Sequence, residues 1–237
     1  MQPTLNTCIE LALWSTILTV GNLNNLAGFS RASYLSYVLW ATCVARITAN
    51  WQYEMEMGDD IETGKVNSIL VRPISFYEYY LSQYAGYKIA TIPFSLAGPL
   101  IISLIFPTTI EWMRLIPSIF LIVYYLIFAH TLSFTIACLG FFITRVKGIT
   151  AAKNMSLWLL TGELFPLDMF PPFMKSIIIS LPFASGVFVP VGFLTGRLTW
   201  ADWYSALASI TAGLAICGLA GFGVWRAGLR QYSGTGA

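Results

Sequence analysis

Few residues in this chain have the chemistry to act as acid, base or ligand, and most of them stand alone. His130 is the single histidine. With no GxSxG turn and no HExxH pair it completes neither a triad nor a metal site, so it reads as a buried, hydrogen-bonded ring; lining a pore is the other use of such a residue. Glu163 and Asp168 lie between Thr161 and Pro171, with Pro166 between them, and that stretch reads as a helix end at the outer interface, not an acid–base pair. Gly58 to Val66 brushes against a phosphate-binding loop and fails it. Five residues separate Gly58 from Gly64 where the motif needs four, Val66 replaces the Ser or Thr that reaches magnesium, and three carboxylates would repel a triphosphate. Cys8, Cys43, Cys138 and Cys217 are far apart in apolar sequence and form no CxxC, so they read as small hydrophobes. No enzymatic activity, no bound cofactor and no metal are expected of the chain itself.

What remains is charge embedded in apolar sequence. Glu10 and Arg46 each lie five residues inside the expected cytosolic end of an apolar segment, a depth of roughly 7–8 Å at the helical rise. Matched depth on antiparallel neighbours predicts that they pair, because an unpaired intramembrane charge is costly. Together with His130 they form the intramembrane polar set. A secondary transporter or channel subunit using these three as an ion relay is the competing function.

The elements that position them are membrane helices. Hydrophobic residues make up 57% of the 237 and charged residues only 10%, against roughly 25% charged in soluble domains, and the mean hydropathy is +0.69. A water-soluble enzyme domain is excluded. A net charge of +2 with no basic run gives no reason to expect a nucleic-acid partner. About 20 apolar residues cross a bilayer, and six segments are expected to do so: Leu5 to Val20, Tyr34 to Trp51, Tyr84 to Phe106, Leu115 to Ile143, Ile149 to Phe165 and Tyr204 to Trp225. The first is read as a retained helix, since no basic residue precedes Arg31 and no A-x-A site follows Val20. The chain reads as one all-α transmembrane domain, residues 1–237.

Between the fifth and sixth segments Pro166, Pro171, Pro172, Pro182 and Pro190 cut the chain into pieces too short to span, such as Phe173–Leu181 and Phe183–Leu194. A re-entrant helical hairpin is expected there. Basic residues set the orientation. With both termini inside, Lys65, Arg72, Arg145, Lys147, Lys153, Arg226 and Arg230 are cytosolic, and only Arg31, Arg114, Lys175 and Arg197 are outside.

The one charge-dense stretch, Glu54 to Glu78, would then face the cytosol. Within it Ile61–Leu70 places Val66, Ile69 and Leu70 at helical spacing on one face, Pro73 ends the helix, and Ser75 with Glu78 caps the next. Acidic neighbours oppose binding to an anionic lipid surface and favour docking into another protein. Asp59, Asp60 and Glu62 would meet basic residues at its rim, while Gly64 would serve a sharp entry.

Here the pattern resembles a known family. Glu62, Gly64, Ile69, Leu70, Arg72, Pro73, Ser75 and Tyr79 resemble the cytosolic loop after the second helix of type-2 ABC-transporter permeases. Gly162 to Pro171, then Pro182, Pro190 and Gly196, are similar to that family's outer end of helix five and its re-entrant helices. One departure is that such permeases usually begin with a basic amphipathic elbow helix, whereas almost nothing precedes Leu5 in this sequence; either the sequence starts late or this member lacks the elbow. The resemblance implies the membrane half of an exporter in a prokaryotic cytoplasmic (inner) membrane. It also implies a second permease subunit, surrounding membrane lipid, and separate ATP-binding subunits that carry the ATP and magnesium. The coupling helix would sit between helices two and three.

Overall fold

In the computed structural model, residues 2–21, 25–26, 29–49, 51–105, 108–164 and 166–232 are described. The expected third-segment end at Phe106 and the expected fifth-segment end at Phe165 lie outside them. Ten helices dominate: α1 Gln2–Val20, α2 Arg31–Thr48, α3 Trp51–Glu62, α4 Asn67–Leu70, α5 Phe76–Ile105, α6 Leu115–Ala137, α7 Val146–Leu160, α8 Pro172–Ser180, α9 Phe188–Leu194 and α10 Trp200–Gln231. A two-residue antiparallel hairpin, β1 Asn25–Leu26 with β2 Phe29–Ser30, joins α1 to α2.

Three of the described helices are long and apolar enough to cross a bilayer: α5, α6 with its flanking 3-10 turns, and α10. The others expected to span are shorter or more polar, and α7, with 15 residues, covers only about 22 Å at the helical rise. Several boundaries move from those expected. The second segment stops at Thr48, because Ala49 is extended (ψ 136°), and Trp51 starts α3 instead of ending α2. The acidic residues that read as a loop are therefore helical through Glu62. α5 begins eight residues early at Phe76, with Ser75 and Glu78 bonded side chain to backbone in both directions, the reciprocal cap the sequence predicts. α10 starts at a second such box, Thr199 with Asp202.

The main core lies among α2, α6, α9 and α10. All seven residues of α9 are buried. The prolines do cut this region into short helices: α8, a 3-10 turn from Pro182 to Gly186, then α9. The freed backbone groups find partners elsewhere in the chain. The Phe188 amide donates to the Thr161 carbonyl at 2.9 Å, and the Tyr37 hydroxyl donates to the Gly162 carbonyl at 2.9 Å.

Charged residues sort to two ends. Asp59 pairs with Lys147 and the Tyr232 hydroxyl reaches the Gly64 carbonyl at one end. At the other, Arg114 donates to the Leu198 carbonyl, and Lys175 and Arg197 share Asp168.

Small residues set the closest helix approach. Gly213, Cys217 and Gly221 of α10 recur every four residues and face α6 and the Pro182 turn. A Cβ on Gly221 would lie 2.6 Å from Thr135 Oγ1, and one on Gly213 would lie 2.9 Å from Phe128 and Pro182. The Thr135 hydroxyl donates to the Cys217 carbonyl at 2.9 Å, a bond that only this close approach permits. Gly223, on another face, has nothing within 4 Å of a built Cβ. Gly221→Leu is expected to cut the yield of folded, monodisperse protein sharply and Gly223→Leu to leave it near wild type; size-exclusion profiles in mild detergent compare them.

Candidate functional site

The charge-dense stretch folds against the start of α7 in antiparallel register. Trp51 stacks on Trp158 with ring centroids 5.1 Å apart. One turn on, the Glu54 carboxylate accepts from Lys153 Nζ, from the Ser133 hydroxyl of α6, and from Asn154 Nδ2 at 2.8 Å. Asp59 pairs with Lys147 at 2.8 Å, and Glu62 accepts the Val146 amide at 2.5 Å. Contact by contact, position falls on α7 as it rises on α3. Glu62 thereby answers one of the free amides at the α7 N-terminus and lies at the favourable pole of its dipole.

Glu54 is 2% exposed. A carboxylate so buried is tolerated only when paired and fully hydrogen-bonded, and its three donors come from two helices. Sequence reading placed Glu54 in the cytosol-facing charge-dense stretch and Lys153 in the cytosolic basic set without joining them. The available signal was Lys153–Asn154, two polar residues inside an otherwise apolar segment.

After Glu62 the chain turns through Gly64, whose φ of +77° lies in the left-handed region where a side chain would be strained. The turn delivers α4, a single helical turn of four residues where a helix from Ile61 to Leu70 was expected. Val66 and Ile69 are 0% and 3% exposed. They pack with Met57, Ile61, Phe76, Tyr80 and Phe134 in a second core cluster. This corrects their assignment as open docking anchors, since Gly64 turns that face back onto the chain's own helices. The apolar surface left open is Leu70 (41% exposed), Val71 (85%) and Ile74, beside exposed Arg72 and Pro73. The acidic rim is also largely engaged internally. Asp60 accepts from the Tyr80 hydroxyl at 2.6 Å and lies 3.7 Å from Lys65.

The intramembrane set does not converge on one point. Glu10 accepts from the Thr42 hydroxyl at 2.8 Å, one helical turn before Arg46, and the expected Glu10–Arg46 ion pair is not found within 4 Å among the described residues. Thr42 takes the carboxylate because it presents the nearer donor on the same face of α2. Glu163 lies within electrostatic range of both Glu10 and Arg46. His130 is fully buried. Its Nδ1 lies 2.5 Å from the Tyr53 hydroxyl and its Nε2 faces the Tyr77 carbonyl at 3.2 Å; a carbonyl can only accept, so Nε2 carries a proton.

In the second charged group Asp168 accepts from Lys175 at 2.6 Å and from Arg197 at 2.9 Å. Pro166 opens the 3-10 turn that carries Asp168, Pro171 caps α8, and Pro182 starts the turn before α9. These residues set the bounds of the short helices between α7 and α10. Among the described residues no group of three His, Cys, Asp or Glu is placed to hold a metal ion.

A family model described as ABC-2 family transporter protein matches residues 4–236. The chain belongs to the ABC-2 transporter family. No curated protein and no solved structure matches. Membership makes the chain a multi-pass membrane protein of a transporter and implies association with an ABC ATP-binding subunit. In this ABC-2 transporter, the α3–α4 unit is thus fastened to α6 and α7 while it presents a small apolar edge outward.

The zipper is testable through its buried pair. Removing one partner leaves an uncompensated buried charge, a loss of about 3–5 kcal/mol where such pairs have been broken, whereas replacing both by apolar groups is far milder. Glu54→Leu and Lys153→Met are each expected to lower the thermal melting temperature strongly, and the double variant to recover most of the loss. Additive losses in the double variant would show that the two charges do not act as a pair.

Proposed function

We propose that this chain is the membrane-spanning permease subunit of an ATP-driven ABC exporter, lining the substrate path and coupled to separate ATP-binding subunits. Family membership across residues 4–236 carries this reading. A second permease subunit, identical or different, completes the path. α1, α2, α5, α6, α7 and α10 serve as the six spans, with α8 and α9 as the re-entrant hairpin on the outer side. Both termini face the cytosol of a prokaryotic cell, and the membrane is the cytoplasmic (inner) one. ATP and magnesium belong to the partner ATPase, and this chain catalyses nothing itself.

The coupling segment is the α3–turn–α4 unit, and its docking edge is Leu70, Val71 and Ile74, flanked by Arg72 and Pro73. Its position supports the role. Force applied at that edge reaches α3, and α3 is joined by the Glu54, Asp59 and Glu62 contacts to α6 and α7. The three carboxylates expected at the docking rim act in this reading as internal fasteners, with Asp59 more exposed than Asp60. The competing ion relay through Glu10, Arg46 and His130 finds no support in the hydrogen bonding, because His130 is closed off by Tyr53 and Tyr77 while Glu10 is held by Thr42.

Co-purification with the ATPase tests the assignment. Leu70→Asp with Val71→Asp changes only exposed side chains, so the subunit is expected to fold. ATPase affinity is expected to fall by about 2 kcal/mol, roughly thirtyfold, as for a buried interface anchor. Ile69→Asp is instead expected to reduce the folded subunit itself. Undiminished ATPase retention and transport in the Leu70→Asp, Val71→Asp variant would remove this edge as the coupling surface.

A further inference from the structure

The thirteen Lys and Arg side chains sort by how their charge is answered. Lys65, Arg114, Lys147, Lys153, Lys175 and Arg197 each have a carboxylate within 4 Å. Arg31, Arg72, Arg145, Arg226 and Arg230 are exposed. Arg46 and Lys88 remain. Among the described residues they are the two basic side chains that are neither exposed nor within 4 Å of a carboxylate, and both lie in expected membrane spans.

Arg46 lines one cleft, and Lys88 is buried next to it, bonded to Ala49 of the cleft wall. A cleft of about 660 Å³ separates the α2–α3 junction from α5, and its wall includes Arg46, Ala49, Trp51, Tyr53, Tyr87 and Phe94. Arg46 Nε is shut off from solvent and has no acceptor. Lys88 sits directly behind the wall. Its amine donates to the Ala49 carbonyl and rests 5.2 and 5.6 Å from the ring centroids of Tyr84 and Tyr87.

The cleft runs along α5 from Gln83 to Ser95, about 18 Å at the helical rise. Its polar end carries exposed Glu56 and Gln83, and its other end carries Phe94, which is exposed on a helix apolar enough to span the bilayer. Two other carboxylates come near without answering either cation. Glu163 is within electrostatic range of Arg46 but beyond 4 Å, and Glu54, in range of Lys88, is already engaged by Lys153, Ser133 and Asn154. Glu10, the remaining acidic neighbour of Glu163, is held by Thr42.

We propose that this cleft binds the anionic head of an amphiphile, a phosphate or carboxylate at the Arg46 guanidinium beside Lys88, with the apolar tail leaving past Phe94 into the bilayer. A guanidinium offers a planar fork of donors that matches such oxyanions, and in apolar surroundings that charge-assisted contact is strong. Aromatic and apolar walls with a few placed polar groups are the usual make-up of a ligand pocket. Unanswered intramembrane cations mark substrate paths. As a place where cargo enters, the cleft rests on the permease reading; as a binding site it does not.

Equilibrium binding to the full-length chain in phosphatidylcholine nanodiscs tests it with three radiolabelled probes that share one tail: oleate, oleoyl-lysophosphatidate and the neutral monooleoylglycerol. Both anionic probes are expected to bind at least about tenfold more tightly than the neutral one. Arg46→Gln and Lys88→Gln are each expected to erase most of that difference while leaving the neutral probe unchanged. Preferential binding of only one anionic probe supports the site and names its head group. Equal binding of all three probes to the wild-type chain overturns the proposal, and that arm does not depend on any variant folding. ATPase retention measured on the same preparations tests the permease reading separately, since its loss would leave the probe result standing and the reverse also holds.

Discussion

The Glu54 carboxylate is the constraint around which this half of the molecule is arranged. It is buried where neither bulk water nor lipid can solvate it, so its charge is tolerated only if several donors converge on it. Lys153, Asn154 and Ser133 do so from α7 and α6. That convergence fixes more than one contact. α2 must end at Thr48 so that α3 can leave in a new direction, and α7 must begin at Val146 so that Lys153 lies two turns inside it. Once the buried pair is formed, Trp51 falls opposite Trp158, Asp59 opposite Lys147, and Glu62 opposite the Val146 amide. A run of acidic residues with the look of a solvated loop is in fact one side of a helix–helix zipper.

Elsewhere the bundle meets the same membrane constraint without charge. α10 brings Gly213, Cys217 and Gly221 against α6, where close backbone approach replaces a hydrophobic drive that lipid tails cannot supply. The proline-rich segment cannot form one long helix, so it folds as short ones and sinks α9 completely into the core, where Thr161 and neighbouring groups satisfy its backbone. Asp168, bridged by Lys175 and Arg197, ties the far end of this region. Charge thus tightens the two ends of the molecule, and small residues tighten its middle.

These arrangements divide the functional labour. The end that holds the α3–α7 zipper is tied internally by buried contacts and apolar at one small exposed edge, which in the proposed function would receive movement from a partner and pass it to α6 and α7. Beside it, the cleft between α2–α3 and α5 is lined by Arg46, which has no carboxylate within 4 Å among the described residues, with Lys88 buried next to its wall. Whatever moves α3 would also move Trp51 and Tyr53 in the wall of that cleft, so a coupling surface and a binding site would share one helix.

Much was determined by sequence alone. Apolar length and scarce charge dictate a multi-pass helical membrane protein, because a bilayer admits little else. The prolines from Pro166 to Pro190 dictate broken helices there, and the four-residue spacing of Gly213, Cys217 and Gly221 dictates a tight helix contact, because each is a local rule of backbone geometry. The order of the motifs from Glu62 to Gly196 was sufficient to recognise the family. Tertiary structure alone decided which polar groups meet. Val66, Ile69 and Leu70 share a face by spacing, yet the left-handed turn at Gly64 buries the first two and leaves Leu70 outside. Glu10 and Arg46 match in depth, yet Thr42 offers Glu10 the nearer donor. Glu54 and Lys153 are almost a hundred positions apart, and no periodicity links them. Helical period tells which side of an element a residue occupies, whereas the partner facing that side depends on how the helices are turned and docked, which is a property of the whole packed chain.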